Sequence, residues 1–200
     1  MPIGFKTNLP SIHGQREVNK AHNQLKGQLE KLSSGLRINQ ARDDAAGLAI
    51  ATQMSAEIRS LNQATRNAND GISLAQTAEG AMGQVGDMLG RMRELAVQSG
   101  NGTMNSDDRA AIQEEMSQLQ AEIDRVSDTT EYNGEKLLDG SGSVELQVGS
   151  GGSASDRISV SKPDIHAAEL GTGTDPAGVA GIDVSTQAGA QDALAVLDEA

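Results

Sequence analysis

Three histidines, 28 carboxylates and no cysteine are the side chains of this 200-residue chain that could ligate a metal or move a proton. His13, His22 and His166 lie far apart, and no two of them stand at the three- or four-residue spacing that puts two ligands on one face of a helix. The paired acids Asp43-Asp44, Asp107-Asp108 and Glu114-Glu115 resemble acid–base couples only on paper. Neighbouring residues on a helix point roughly 100° apart, so the two carboxylates cannot serve one reacting atom. They read instead as helix-terminus or solvated charge. The glycines of residues 140–152 are not followed by Lys-Ser or Lys-Thr, and no Gly-x-Gly-x-x-Gly joins a strand to a helix, so no phosphate cradle is expected. Asn101-Gly102-Thr103 fits an N-glycan acceptor pattern and is better read as a turn. The sequence therefore points to no catalytic residue, cofactor or metal ligand, and to a protein that is not an enzyme.

What the chain does hold is seams. Val18, Leu25, Leu29, Leu32 and Leu36, with His22 filling the gap, run at spacings of 4, 3, 4, 3 and 4. That is a heptad seam. Lys20, Lys26, Glu30 and Lys31 fall between these positions, on the flanks and the water-facing side. A helix starting at Ser11, just past Pro10, is expected, and its partner must come from elsewhere.

A second helix is expected from Asp43 to Ser99, with Ala45, Leu48, Ile58, Leu61, Ala68, Ile72, Ala75, Met82, Val85, Leu89, Met92 and Leu95 near one rhythm. Asp43 and Asp44 suit its N-terminus, and Gly100-Asn101-Gly102 its stop. A rod of that length predicts an elongated molecule. It carries Gly71, Gly80, Gly83, Gly86 and Gly90, each costing about 1 kcal/mol against alanine, so its stability must come from packing. A third helix, N-capped by Ser106, carries Ile112, Met116, Leu119, Ile123 and Val126. The short connection makes it an antiparallel neighbour of the rod.

After Asp128 the period changes. Asn133-Gly134 signals a tight hairpin, and Val144, Leu146 and Val148 alternate, as do Ile158 and Val160. Residues 162–181 show little periodicity and read as a loop or weakly structured stretch. From Ser185 a helical pattern resumes with Ala190, Leu194 and Leu197, and the sequence stops within it at Ala200. The expected architecture is mainly α: an elongated antiparallel helical bundle or coiled coil with a small β-hairpin lobe. Four segments are expected: 1–42, a coiled-coil helix; 43–130, a long-helix hairpin; 131–182, the lobe with a variable loop; and 183–200, the start of a further helix.

Charge and composition narrow the function classes. Aromatic residues make up 1% of the chain, which argues against an ordinary aromatic-rich core. Residues 1–42 hold seven Lys or Arg against two Glu, while the remainder holds nine against 26. A basic helix could bind nucleic acid or an anionic membrane. The seam lacks aromatic anchors, Glu17 and Glu30 interrupt its charge, and the rest of the chain is acidic, so neither partner is expected. Opposite charge on different parts of one chain suits packing among identical copies. No stretch is apolar enough to span a membrane, and the N-terminus lacks a secretory signal's apolar centre and cleavage site.

The stretches LSSGLRINQARDDAAGLAIA (residues 32–51), RNANDGISLAQTAEG (66–80) and RELAVQS (93–99) closely resemble the N-terminal region of bacterial flagellin. IDRVSDTTEYNG (123–134) and STQAGAQDALAVLDEA (185–200) are similar to the family's next segment and to the opening of its C-terminal helix. The resemblance implies a structural, self-assembling subunit of the extracellular flagellar filament, serving cell motility and exported by the flagellar type III apparatus. Its implied partners are other flagellin subunits, the hook-associated junction and cap proteins and an export chaperone. It further implies that the seam Val18, Leu25, Leu29, Leu32 and Leu36 lies in the filament core. The partner helix is expected in family segments that follow Ala200.

Flagellins are also recognised by a host Toll-like receptor, and Arg91, Leu95 and Glu115 match the family's receptor-contact pattern. The alternative, that Arg91 and Glu115 are surface charges contacting neighbouring subunits, stands beside it. A hinge-junction protein of the same superfamily is the nearest rival, and it is expected to match the LSSGLRIN and AVQS segments less closely.

Overall fold

The computed structural model describes residues 9–173 and 175–200. Lys6, counted above in the basic segment, lies outside them. The chain divides into two compact units, Met1–Ser60 and Leu61–Ala200.

In the first unit, α1 spans Leu9–Ser34 and buries no residue among those described. It begins two residues earlier than expected, because Pro10 falls in the first turn, where a helix needs no backbone donor. It also ends before Leu36. Gly35 takes the left-handed conformation at φ 69°, which stops the helix and removes Leu36 from its face. Residues 35–44 then fold back onto the end of α1: the Asn39 amide donates to the Ser34 hydroxyl (2.7 Å) and the Glu30 carbonyl (3.3 Å), and Gln40 Nε2 donates to Glu30 Oε1 (2.8 Å). The second helix, α2, spans Ala45–Ser99, and its first part belongs to this unit. Asp44 opens it by accepting from the Gly47 N–H at 2.8 Å.

The second unit holds the rest of α2 together with α3 (Ser106–Thr129) and α4 (Gln187–Glu199). The cap of α3 is Asn105 rather than Ser106: its side chain accepts from the Asp108 N–H at 2.8 Å, one residue ahead of the expected position. Ion pairs and turn contacts run in opposite chain directions along α2 and α3, so the two form the antiparallel hairpin. Between them and α4 lies one core: Leu74, Ala81, Val85, Met92, Leu95 and Ala96 of α2, Ile112, Met116, Ile123 and Val126 of α3, and Ala190, Ala193, Val196 and Leu197 of α4. Within this unit Leu61, Ile72 and Met82 are exposed, although their spacing groups them with the buried positions. The helix has two apolar faces, and only one of them is packed.

The lobe is two antiparallel hairpins. Strands β1 (Glu131–Tyr132) and β2 (Glu135–Lys136) are joined by Asn133 and Gly134, both at positive φ (53° and 80°), as a two-residue turn of matching twist requires. Strands β3 (Asp139–Gln147) and β4 (Arg157–Asp164) pair Val144 with Val160 and Leu146 with Ile158. The expected alternation is the observed register. The chain then departs from the weakly structured stretch expected over residues 162–181. Lys162 is buried at 8% exposure, and Ile165, Ala167, Val179, Ile182 and Val184 all enter the core. This strap, residues 165–173 and 175–184, is pinned to α3 by side chains: the Ala167 N–H donates to Asp124 Oδ1 (2.8 Å), Gln120 Nε2 donates to the Val179 carbonyl (2.7 Å), and Gln113 bonds both the Ile182 carbonyl (3.3 Å) and the Val184 N–H (2.7 Å).

Candidate functional site

The seam residues of α1 stand in water. Val18 is 68% exposed, Leu25 58%, Leu29 56% and Leu32 81%. All four lie on one side of a regular 26-residue helix, Val18 two turns before Leu25 and the later ones each one turn apart. Leu36 is also exposed, but it stands beyond Gly35 and extends the apolar surface from the loop, not along the helix. Leu29 borders a shallow groove with Lys26, Glu30, Gln40 and Arg42, and Leu32 and Leu36 border a second with Lys31 and Arg37. Each apolar patch thus has a basic rim. Covering a leucine or valine of this kind contributes about 1.5–3 kcal/mol, so a row of four is a large unfilled driving force.

The rim is held by local bonds. Lys31 Nζ lies 3.7 Å from Asp43 Oδ1. Burial pushes the Asp43 carboxyl upward, yet the N–H groups of Asn39 and Gln40 and the charges of Lys31 and Arg42 outweigh it and leave it below its ordinary value. The carboxylate therefore stays ionised and fixes the 39–43 turn. In the first unit α2 continues the theme, with Ile50, Met54 and Ile58 all more than half exposed.

In the second unit, the expected receptor patch is brought together only in part. Arg91 and Glu115 meet: the guanidinium donates to Glu115 Oε1 from Nε (3.0 Å) and from the second terminal nitrogen (2.8 Å), and also to Glu94 (3.0 Å). The hydrogen bond to Glu115, followed by that to Glu94, raises the Arg91 pKa above its usual range. Leu95 is not on that surface. It is 1% exposed and belongs to the core between α2 and α3, beside Met92 and Ala96. Sequence spacing places Leu95 one turn from Arg91 but does not say which of the two looks outward.

Most of the glycines that the sequence singles out in α2 stand clear of the core. Gly83, Gly86 and Gly90 have nothing within 4 Å of where a Cβ would stand, among the described residues. They lie on the outer side of α2, away from the buried face. Among the described residues there is no group of three or more His, Cys, Asp or Glu side chains that could hold a metal ion. No described helix is long and apolar enough to cross a membrane.

Residues 5–143 match the family described as the bacterial flagellin N-terminal helical region. The chain belongs to the flagellin family. It is 47% identical over 193 residues to a flagellin of Halalkalibacterium halodurans, covering 96% of this chain and 68% of that one. It is 50% identical over 173 residues to the B-type flagellin of Pseudomonas aeruginosa, covering 86% of this chain but only 35% of that one. The chain thus spans about a third of the Pseudomonas relative's length. Among solved structures, Bacillus cereus flagellin superposes at a TM-score of 0.56 with 31% identity, over 67% of this chain and 73% of that one. The mainly helical fold with small antiparallel hairpins is therefore a flagellin fold.

Proposed function

We propose that this chain is a structural subunit of the bacterial flagellar filament, working outside the cell for motility by packing against copies of itself. The observation that carries the reading is the open edge of α1: a 26-residue helix that buries nothing and displays Val18, Leu25, Leu29 and Leu32. A helix of this composition draws little stability from propensity alone and needs tertiary or intermolecular packing. Apolar positions at heptad spacing from Val18 to Leu32 fit a second helix, and family membership supplies the class of assembly. Export without a cleaved signal, a chaperone that holds the chain before export, and junction and cap proteins at the filament ends belong to the same reading.

The Toll-like receptor remains part of the proposal at Arg91 and Glu115, with Leu95 acting from below as a core residue that fixes the backbone between them. The assembly reading is tested by the double substitution Leu29→Asp and Leu32→Asp in the full-length protein. Negative-stain microscopy after salting out shows filaments for the parent and none for the variant, while far-ultraviolet circular dichroism keeps the signal of the α2–α3 hairpin. Equal filament yield from the variant overturns the proposal.

A further inference from the structure

His166 follows β4 and sits where the strap leaves the lobe and meets the last turn of α3. Its ring is 29% exposed. The groups facing it come from every neighbouring element. From the end of β4, Asp164 Oδ1 lies 2.6 Å from Nδ1. From α3, Ser127 Oγ lies 3.2 Å from Nδ1 and Asp128 Oδ1 lies 3.9 Å from Nε2, and Asp124 is bonded to the Ala167 N–H. Lys136 of β2 holds Asp128 at 2.7 Å, and Asp139 of β3, which is 4.0 Å from Lys162, adds further negative charge.

The hydrogen-bond inventory decides which ring nitrogen titrates. The Ser127 hydroxyl has one proton, and it is donated to the Leu138 carbonyl at 2.7 Å. An ionised Asp164 can only accept. Both partners of Nδ1 are therefore acceptors, and Nδ1 carries a hydrogen whether the ring is charged or neutral. The proton that comes and goes is the one on Nε2, on the side of Asp128. A neutral ring keeps its bond to Asp164 and loses its attraction to Asp128.

We propose that His166 is a proton-operated latch: a proton on Nε2 joins the strap to the last turn of α3 through Asp128, and its loss loosens that junction while the Nδ1–Asp164 bond stays. The hydrogen bond to Asp164, opposed by burial and reinforced by the charges of Asp164, Asp128 and Asp124, raises the His166 pKa above its ordinary value. The sign follows: the latch is closed below the ordinary histidine range and opens as pH rises through the raised value. The proposal stands independently of filament assembly.

The test is nitrogen-15 and carbon-13 NMR of the 200-residue chain across the titration. The expected results are a neutral His166 in the Nδ1–H tautomer and a midpoint above about 6.5. That midpoint falls in Asp128→Asn and rises in Lys136→Met, which leaves Asp128 to the histidine alone. Hydrogen-exchange protection of the Ala167 and Val179 amides, corrected for intrinsic rates, falls several-fold between about pH 6 and about pH 8.5, and His166→Gln abolishes that dependence. An Nε2–H neutral tautomer, a midpoint unmoved by both neighbouring substitutions, or protection constant over that range overturns the proposal.

Discussion

The guanidinium of Arg109, near the start of α3, closes the α2–α3 turn by donating to the carbonyl of Ser99, the last residue of α2. It also donates to the carbonyls of Asn101 (3.0 Å) and Met104 (3.4 Å), and among the described residues no carboxylate pairs with it. Arg109 is 8% exposed, so these carbonyls replace water for a full positive charge. They are the orphan acceptors that a helix C-terminus and its turn leave behind, and the helix dipole favours a cation there. Hydrogen bonds to charged groups contribute about 1.5–3 kcal/mol, and Arg109→Ala removes them together with a buried stem. The expected result is a lowered urea midpoint with loss of about 2–4 kcal/mol, and Arg109→Lys recovers only part of it because a single ammonium cannot span three carbonyls.

Gly178 and Gly86 make opposite predictions. Gly178 has φ 59°, and a Cβ there would stand 2.5 Å from the Leu170 carbonyl oxygen and 2.8 Å from that of Ala168. Backbone cannot move aside as a side-chain tip can, so Gly178→Ala costs more than the roughly 1–2 kcal/mol of left-handed strain alone. Gly86, in mid-helix, has open space around it, and Gly86→Ala stabilises the isolated chain by about 0.5–1 kcal/mol. Thermal unfolding of the two variants, moving in opposite directions, checks both.

Gln113 grips the strap with both ends of its amide. Gln113→Glu keeps the acceptor for the Val184 N–H but faces the Ile182 carbonyl with a second acceptor, so the strap loses one bond and gains a repulsion. A loss of about 1–3 kcal/mol is expected, read as faster hydrogen exchange at Val184 and across the strap. Exchange unchanged at Val184 contradicts the assignment.

Acid should weaken the second unit. Asp164 is lowered by its hydrogen bonds to His166, Asp128 by Lys136, Asp183 by Ser185 and Asp198 by Arg93. A carboxyl whose folded pKa is depressed contributes stability above its unfolded value of about 4 and loses it as pH falls through the folded value. These groups are largely exposed, so each contribution is small and salt reduces it further. The expected melting temperature is highest between about pH 4 and the histidine range and falls steadily below about pH 4, with Asp164→Asn flattening that acid fall.

How much of this was legible in the chain depends on where each backbone bond goes. The Asn133-Gly134 turn could be read because two successive positive φ angles demand those residues, and the Val144–Val160 and Leu146–Ile158 register followed from alternation. The strap could not, because its backbone bonds to Asp124, Gln120 and Gln113, polar side chains that on a helix look like a solvated face. In α2, periodicity revealed apolar faces without telling which is inside, so Ile72 and Met82 were grouped with Val85 while Leu74 and Ala81 went unmarked. Leu95 enters the receptor patch through the family's contact pattern, which carries no information on burial, and it is 1% exposed. The seam of α1 was legible up to Leu32, and Gly35 ended it one position early.

The central claim is that the apolar edge of α1 is open in the single chain and covered in the assembly. These 200 residues contain no cysteine, so Leu29→Cys, with any cysteine elsewhere in the full-length protein replaced by serine, carries one nitroxide spin label on that edge. Electron paramagnetic resonance of the full-length protein should give a mobile label in dilute solution and an immobilised one in sedimented filaments. A label already immobile in the dilute monomer, or equally mobile in both states, contradicts the account.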